Sequence, residues 1–125
     1  MIDIIDQMIT LTKGVPEFDG RVYRYYPQSN DDDGKPYATI TRGSRIPVLI
    51  GEGGKEVITA LSYHVNIFAG SPTSCDDILY HLVDLYKSRR IICTGISSGY
   101  SSGRMYYITA TFGVTVDIRG NPFTG

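Results

Sequence analysis

Tryptophan is absent from this chain, cysteine occurs only twice, and neither sign of charge is in excess: 12 Lys and Arg stand against 13 Asp and Glu, for a net charge of -1. Each shortage closes off a class of function. Without a basic excess no long-range field draws the chain to nucleic acid or to an acidic membrane surface, which disfavours a dedicated DNA binder. Cys75 and Cys93 lie in no C-x-x-C pair and have no histidine at ligand spacing, so a zinc site is not expected and reduced, half-buried thiols are. No apolar run approaches the roughly 18 residues that span a bilayer. The opening MIDIIDQMITLTKG carries acidic residues where a secretory leader would be basic, so the chain is expected to be soluble and to stay in the cytoplasm where it is made. There is no internal repeat and no low-complexity tract. What remains is a chain of 125 residues, enough for one domain that buries about two thirds of the surface its unfolded form exposes.

Periodicity supplies the elements. Ile2, Ile5, Met8, Ile9 and Thr12 recur at helical spacing before Gly14 and Pro16, which predicts an amphipathic helix that stops there. RVYRYYP and PYATITR read as strands, the second alternating cleanly. KEVITALSYHVNIFAG alternates over its whole length, with Val57, Thr59, Leu61, Tyr63, Val65 and Ile67 on one apolar face. Gly53-Gly54 just before it signals a turn, so the two strands are expected to form a long hairpin that reaches beyond the core. SPTSCDDILYHLVDLYKSRR predicts a second helix, capped by Ser71 ahead of Pro72 or by Ser74 with Asp77, and buried along Ile78, Leu82, Leu85 and Tyr86. RRIICTGIS is expected to be a third core strand and SSGYSSG a flexible turn. RMYYITATFGVTVDI is expected to be a long strand with Tyr106, Ile108, Ala110, Phe112, Val114, Val116 and Ile118 facing in. The order predicts an α+β fold: a mainly antiparallel sheet with two helices on one face and a projecting hairpin, residues 1–118 forming one domain and 119–125 a C-terminal tail.

No motif commits the chain to catalysis. Asp31, Asp32 and Asp33 precede Gly34 as in a calcium loop. Aligned to that pattern, however, Ser29 falls at the first ligand position and Ile40 at the last, where a bidentate Glu is needed, so the run is read as a solvated loop. GEGGKE resembles a phosphate loop only in part, because Leu49 and Glu56 stand where Gly and Ser or Thr are required. His64 sits on the more polar face of its strand. His81 has Asp77 four residues before it and Asp84 three after, and a solvent-facing ion pair on the helix accounts for it. No metal and no cofactor is expected.

Two features point to an interaction surface instead. Ten tyrosines, among them Tyr23, Tyr25, Tyr26, Tyr37, Tyr100, Tyr106 and Tyr107, gather on strands and loops, a composition that suits interfaces and equally suits a tyrosine-rich sheet. The expected hairpin tip carries Pro47, Val48, Leu49 and Ile50, apolar residues that would be exposed if the hairpin stands clear.

The order of these segments resembles that of the tail terminator, or tail completion, proteins of long-tailed bacteriophages: an amphipathic helix, a short RVY segment, a loop into PYATITR, the long strand VITALSYHVNIFAG, the capped helix SCDDILYHLVDLY and the final strand MYYITATFGVTVDI. The resemblance covers nearly the whole chain. It implies a non-enzymatic protein that caps the completed tail tube as a sixfold ring and presents the tail side of the head–tail junction. The implied partners are copies of itself, the tail tube protein and head–tail connector proteins, with DNA passing only in transit and no membrane involved. The implied location is the host cytoplasm during assembly and then the head-proximal end of the virion tail. On that reading Ile46, Pro47, Val48, Leu49, Ile50 and Lys55 are candidate partner contacts, and Asp31, Asp32 and Asp33 line or rim a channel. A head-side connector of the phage neck and, more distantly, a small RNA-binding α+β domain are the alternatives; the second predicts a basic stripe that the charge balance does not offer.

Overall fold

A computed structural model describes residues 3–24, 35–54, 56–97, 100–102 and 105–121. The chain opens with helix α1 (Ile5–Thr12) and a 3-10 turn (Pro16–Phe18), then gives a short strand β1 (Val22–Tyr23) and the long strands β2 (Tyr37–Ile50) and β3 (Glu56–Ala69). Helix α2 (Pro72–Lys87) follows, then β4 (Ile92–Ile96), the short β5 (Tyr100–Ser102) and the long β6 (Met105–Asp117). The sheet runs β1-β2-β3-β6-β4, with β5 also paired to β6; β1 is parallel to β2 and every other pairing is antiparallel. This is the α+β fold expected, and the two long strands form the hairpin. Asp31, Asp32, Asp33 and Lys55 lie outside the described residues.

The core lies between one face of the sheet and both helices. Strand alternation delivers Leu61, Tyr63, Val65 and Ile67 from β3 and Ile108, Ala110, Phe112, Val114 and Val116 from β6 to that face, where they meet Met8 of α1 and Cys75, Ile78, Leu82 and Tyr86 of α2. Tyr86 and Phe112 pack edge to face at 4.6 Å. The Tyr86 hydroxyl reaches Thr12, whose own hydroxyl is already donated to the Met8 carbonyl at 2.6 Å, so Tyr86 is the donor. Burial pushes the Tyr86 phenol well above its ordinary range.

Both ends of α2 have side-chain or backbone caps. Of the two caps foreseen, Ser71 is the one used: its Oγ accepts the Ser74 amide at 3.1 Å, with Pro72 at the first helical position. At the other end the Ile91 amide bonds the Tyr86 carbonyl at 3.1 Å and the Arg90 amide the Lys87 carbonyl at 3.0 Å, a Schellman arrangement that leaves Arg90 at φ 61°. Glycine is the residue suited to that conformation, so Arg90→Gly is expected to raise stability by up to about 1 kcal/mol, read from the denaturant midpoint.

Three sequence expectations need correction. β4 is an edge strand and not a core strand: Ile91 just before it is buried, but Ile92 and Ile96 are 64% and 59% exposed, because β4 has β6 on one side only and is bulged between Cys93 and Gly95. Part of the segment read as a flexible turn forms β5, three residues laid along Met105–Tyr107 of β6. Val57, Tyr106 and Ile118 were expected to face the core, yet all three are exposed, each at or next to the end of a long strand. Residues 119–121 fold back against the end of β6. The Asp117 carboxylate accepts the Arg119 and Asn121 amides at 2.9 and 3.0 Å, and Gly120 comes to rest against Ile4.

Candidate interaction surface

The candidate surface is built at the point where the helix-covered sheet ends. Along β2, Tyr37, Ala38, Thr39 and Ile40 are buried, and every residue from Thr41 to Ile50 is exposed or at most half-buried. A polar cluster marks the boundary. The Asp3 carboxylate accepts the Tyr63 hydroxyl at 2.8 Å, the Ile5 amide at 3.0 Å and the Arg42 guanidinium, while the Tyr63 oxygen accepts the Ile4 amide at 2.9 Å. These contacts tie the start of α1 to β2 and β3 at one place. Partial burial pushes the Asp3 carboxyl up, but the hydrogen bonds from Tyr63, Arg42 and Ile5 outweigh it and leave the group below its usual range.

Immediately past that cluster β2 bulges. Arg42 pairs with Tyr63 and Arg45 with Leu61, so Gly43 and Ser44 together oppose Ser62. The amide of Ser44, left out of the ladder, donates to Ser62 Oγ at 2.7 Å, and the two hydroxyls lie 2.9 Å apart. Only glycine fits at the inner bulge position: a Cβ on Gly43 would stand 2.4 Å from Ser62 Oγ and 3.0 Å from the Ser62 carbonyl oxygen. Gly43→Ala is therefore expected to cost about 1–3 kcal/mol as the bulge shifts, measured as a lower midpoint in chemical denaturation.

Beyond the bulge lies the apolar arm. Ile46 opposes Ala60, Pro47 opposes Thr59 and Leu49 opposes Ile58, with a second irregularity at Val48. Ile46, Val48, Leu49 and Ile50 are 58%, 61%, 50% and 58% exposed, and Pro47 is exposed with them. These are the residues nominated from sequence, and the structure brings them together at one corner of the sheet. The turn closes through Gly53 and Gly54, both at φ 75°, a conformation open to glycine. Two further apolar side chains are exposed at this end of the β3–β6 ladder, next in sequence to its last pair, Ile58–Asp117: Val57 and Ile118, at 37% and 62%. Their alternation matched that of core residues, so no sequence signal set them apart.

The hairpin is not free along both arms. β3 keeps β6 as a partner as far as Ile58, and Thr59 is fully buried, whereas β2 past Thr39 has β3 on one side and nothing among the described residues on the other. The expectation that the tip is dispensable to the core applies to the β2 arm and fails for the β3 arm. The outer edge of this arm carries Arg42, Arg45 and Pro47, and its pairing with β3 has register shifts between Arg42 and Arg45, Pro47 and Leu49, and Leu49 and Ile50, devices that hinder continuous strand addition. The arm is thus suited to contact through side chains more than through a backbone ladder.

The tyrosines have other work. Tyr23, Tyr37, Phe68 and Tyr107 form a row across β1, β2, β3 and β6 on the sheet face away from the helices, with ring centroids 6.2, 4.4 and 5.2 Å apart, and Tyr37 and Phe68 are buried by it. Tyr63 and Tyr86 are core residues. The next rows on the same open face are polar: Asn66 donates to Thr39 at 3.0 Å and accepts from Thr109 at 2.6 Å, and His64 Nδ1 lies 3.1 Å from Thr111 Oγ1. Tyr25 and Tyr26 lie outside the described residues.

His81 does not use its helical neighbours. Its Nδ1 lies 2.8 Å from Glu17 Oε2 of the 3-10 turn, a partner 64 residues away, and that hydrogen bond raises the imidazole above its ordinary value. A group raised by folding contributes stability that is fully present below its unfolded pKa, about 6.5, and lost as pH rises through the folded value. Glu17→Gln is expected to bring the His81 titration, followed by NMR, back toward that ordinary value and to remove this part of the pH dependence between weakly acidic and neutral pH. Cys75 and Cys93 are free thiols, the first fully buried, which raises its pKa, and the second half-buried. Among the described residues no three His, Cys, Asp or Glu side chains gather in a way that would hold a metal ion, and no helix is long and apolar enough to cross a membrane.

Comparison of the chain with known protein families and with curated proteins gives no match.

Proposed function

We propose that this chain is a structural, non-enzymatic assembly protein of a long-tailed bacteriophage, which caps the completed tail tube as a ring and forms the tail side of the head–tail junction. The observation that carries the reading is the exposed apolar run of the β2 arm, Ile46, Val48, Leu49 and Ile50, on an otherwise well-packed domain. An exposed apolar cluster of this kind is retained where a partner covers it. The element order supports the same reading, since helix, long hairpin, capped helix and final long strand follow one another as in the tail terminator resemblance. Small domains form collars through a repeated head-to-tail interface that closes on itself. In such a collar the β2 arm, standing off the core, meets a neighbouring copy or the tube below.

Cryo-electron microscopy of isolated tails tests the assignment. The expected result is a single ring of this protein at the head-proximal end of the tube. A ring found on the head connector of tailless particles, and absent from tails, would assign the chain to the head side of the neck instead.

A further inference from the structure

We propose that the apolar tip of the β2 arm seats in a cleft on the helix face of a second copy of this chain. This rests on the ring reading only for the closure of many such contacts; the contact itself is a pairing of two different patches of one molecule. The cleft opens between α1, the end of α2 and the turn that follows β6, and has a volume of about 490 Å³. Its floor is apolar, formed by Met8, Leu11, Ile91 and Val114, and Arg89 and Arg119 stand at its rim. The size falls within the roughly 300–1,000 Å³ of clefts that enclose compact ligands, and accommodates more than one aliphatic side chain.

Charge selects the occupant. Asp6, the acidic residue of the cleft, is already paired with Arg24. Arg89 and Arg119 are exposed and have no ion-pair partner among the described residues. The cleft is therefore an apolar floor under unpartnered positive charge. The tip offers the complement: Ile46, Val48, Leu49 and Ile50 are half or more exposed, and the sequence that follows, residues 51–56, carries Glu52 and Glu56 against a single Lys55. Apolar residues for the floor and acidic residues for the rim thus occur in one short segment of the same chain. The tip stands at the β2 corner of the sheet, and the cleft lies over β6 and the approach to β4, on the other side of β3. A contact between them is heterologous, the kind that generates a ring when its rotation closes.

Mixed-chain disulfide trapping tests the contact. In a Cys93→Ser background, one chain carries Val48→Cys at the tip and the other Thr10→Cys at the cleft rim; both sites are exposed. Mild oxidation of the mixture is expected to give a tip-to-cleft heterodimer that neither chain gives alone. A dominant tip-to-tip dimer, or no cross-link at the concentration where the protein associates, overturns the proposal. As a second arm, Arg89→Glu with Arg119→Glu is expected to leave the thermal midpoint in place and to weaken self-association by on the order of tenfold or more, with recovery when Glu52→Lys and Glu56→Lys are added. Unchanged self-association in the arginine variant also overturns it. A ring present on tails without the cross-link would overturn this contact alone, whereas the cross-link without a ring on tails would support the contact and count against the terminator reading.

Discussion

Val48→Lys combined with Ile50→Lys is expected to abolish completion of tails while leaving the monomer folded. Both side chains are about 60% exposed, at 61% and 58%, on a strand whose outer edge has no strand partner there among the described residues. Lysine is a residue that natural edge strands carry, so the stability change is expected to stay within about 0.5 kcal/mol. The partner that covers the corner, however, would have to take two ammonium groups out of water without counter-charges, and in the cleft proposed above they would face Arg89 and Arg119. The measurement is twofold: circular dichroism melting of the purified variant, and the yield of infectious particles when it replaces the wild-type chain. Tails completed at wild-type yield would show that the arm is not the interface. Cutting the arm away is a poorer experiment, because removing residues 46–56 would also leave Ile58, Thr59 and Ala60 of β3 without their β2 partners, and Thr59 is fully buried.

The second large effect concerns the core. Phe112→Ala is expected to lower stability by about 3–5 kcal/mol, the range for truncating a buried phenylalanine. Phe112 is fully buried, stacks edge to face on Tyr86 and sits opposite Tyr63 across the β3–β6 ladder, so the void would open where both helices meet the sheet. For a domain of this length the thermal midpoint should fall by roughly 10–20 °C. Loss of only a degree or two would mean that the core closes around the gap. The contrast with the lysine variant is informative, since one change weakens the fold and the other only its use.

Alternation and capping were legible residue by residue. The long strands, the helix begun by Ser71 and Pro72 and the antiparallel hairpin closed by Gly53-Gly54 all follow from local rules of period, turn conformation and cap chemistry, which act over a few neighbouring residues. The apolar stretch Ile46–Ile50 was legible as a candidate contact from its place beside the Gly53-Gly54 turn, with its exposure conditional on the hairpin standing clear of the core. Local pattern could not say where the cover ends. Val57 and Ile118 alternate in step with Thr59 and Val116, yet they are exposed while their neighbours are buried. Ile92 and Ile96 read as core for the same reason and are exposed because β4 is the last strand of the sheet. Burial depends on what lies across the sheet from a residue, which is set by contacts between positions far apart in the chain. The partners of polar groups were hidden in the same way. His81 has acidic neighbours one turn away on its own helix and bonds Glu17 instead, and Tyr63 is held by Asp3, sixty residues earlier in the chain. The cleft beneath Arg89 and Arg119 has no counterpart in any single segment, since its walls come from the first helix, the end of the second and the turn after the last strand. Spacing along a chain determines periodicity and turns; only folding brings distant segments to a common surface, and the candidate interface of this protein is made there.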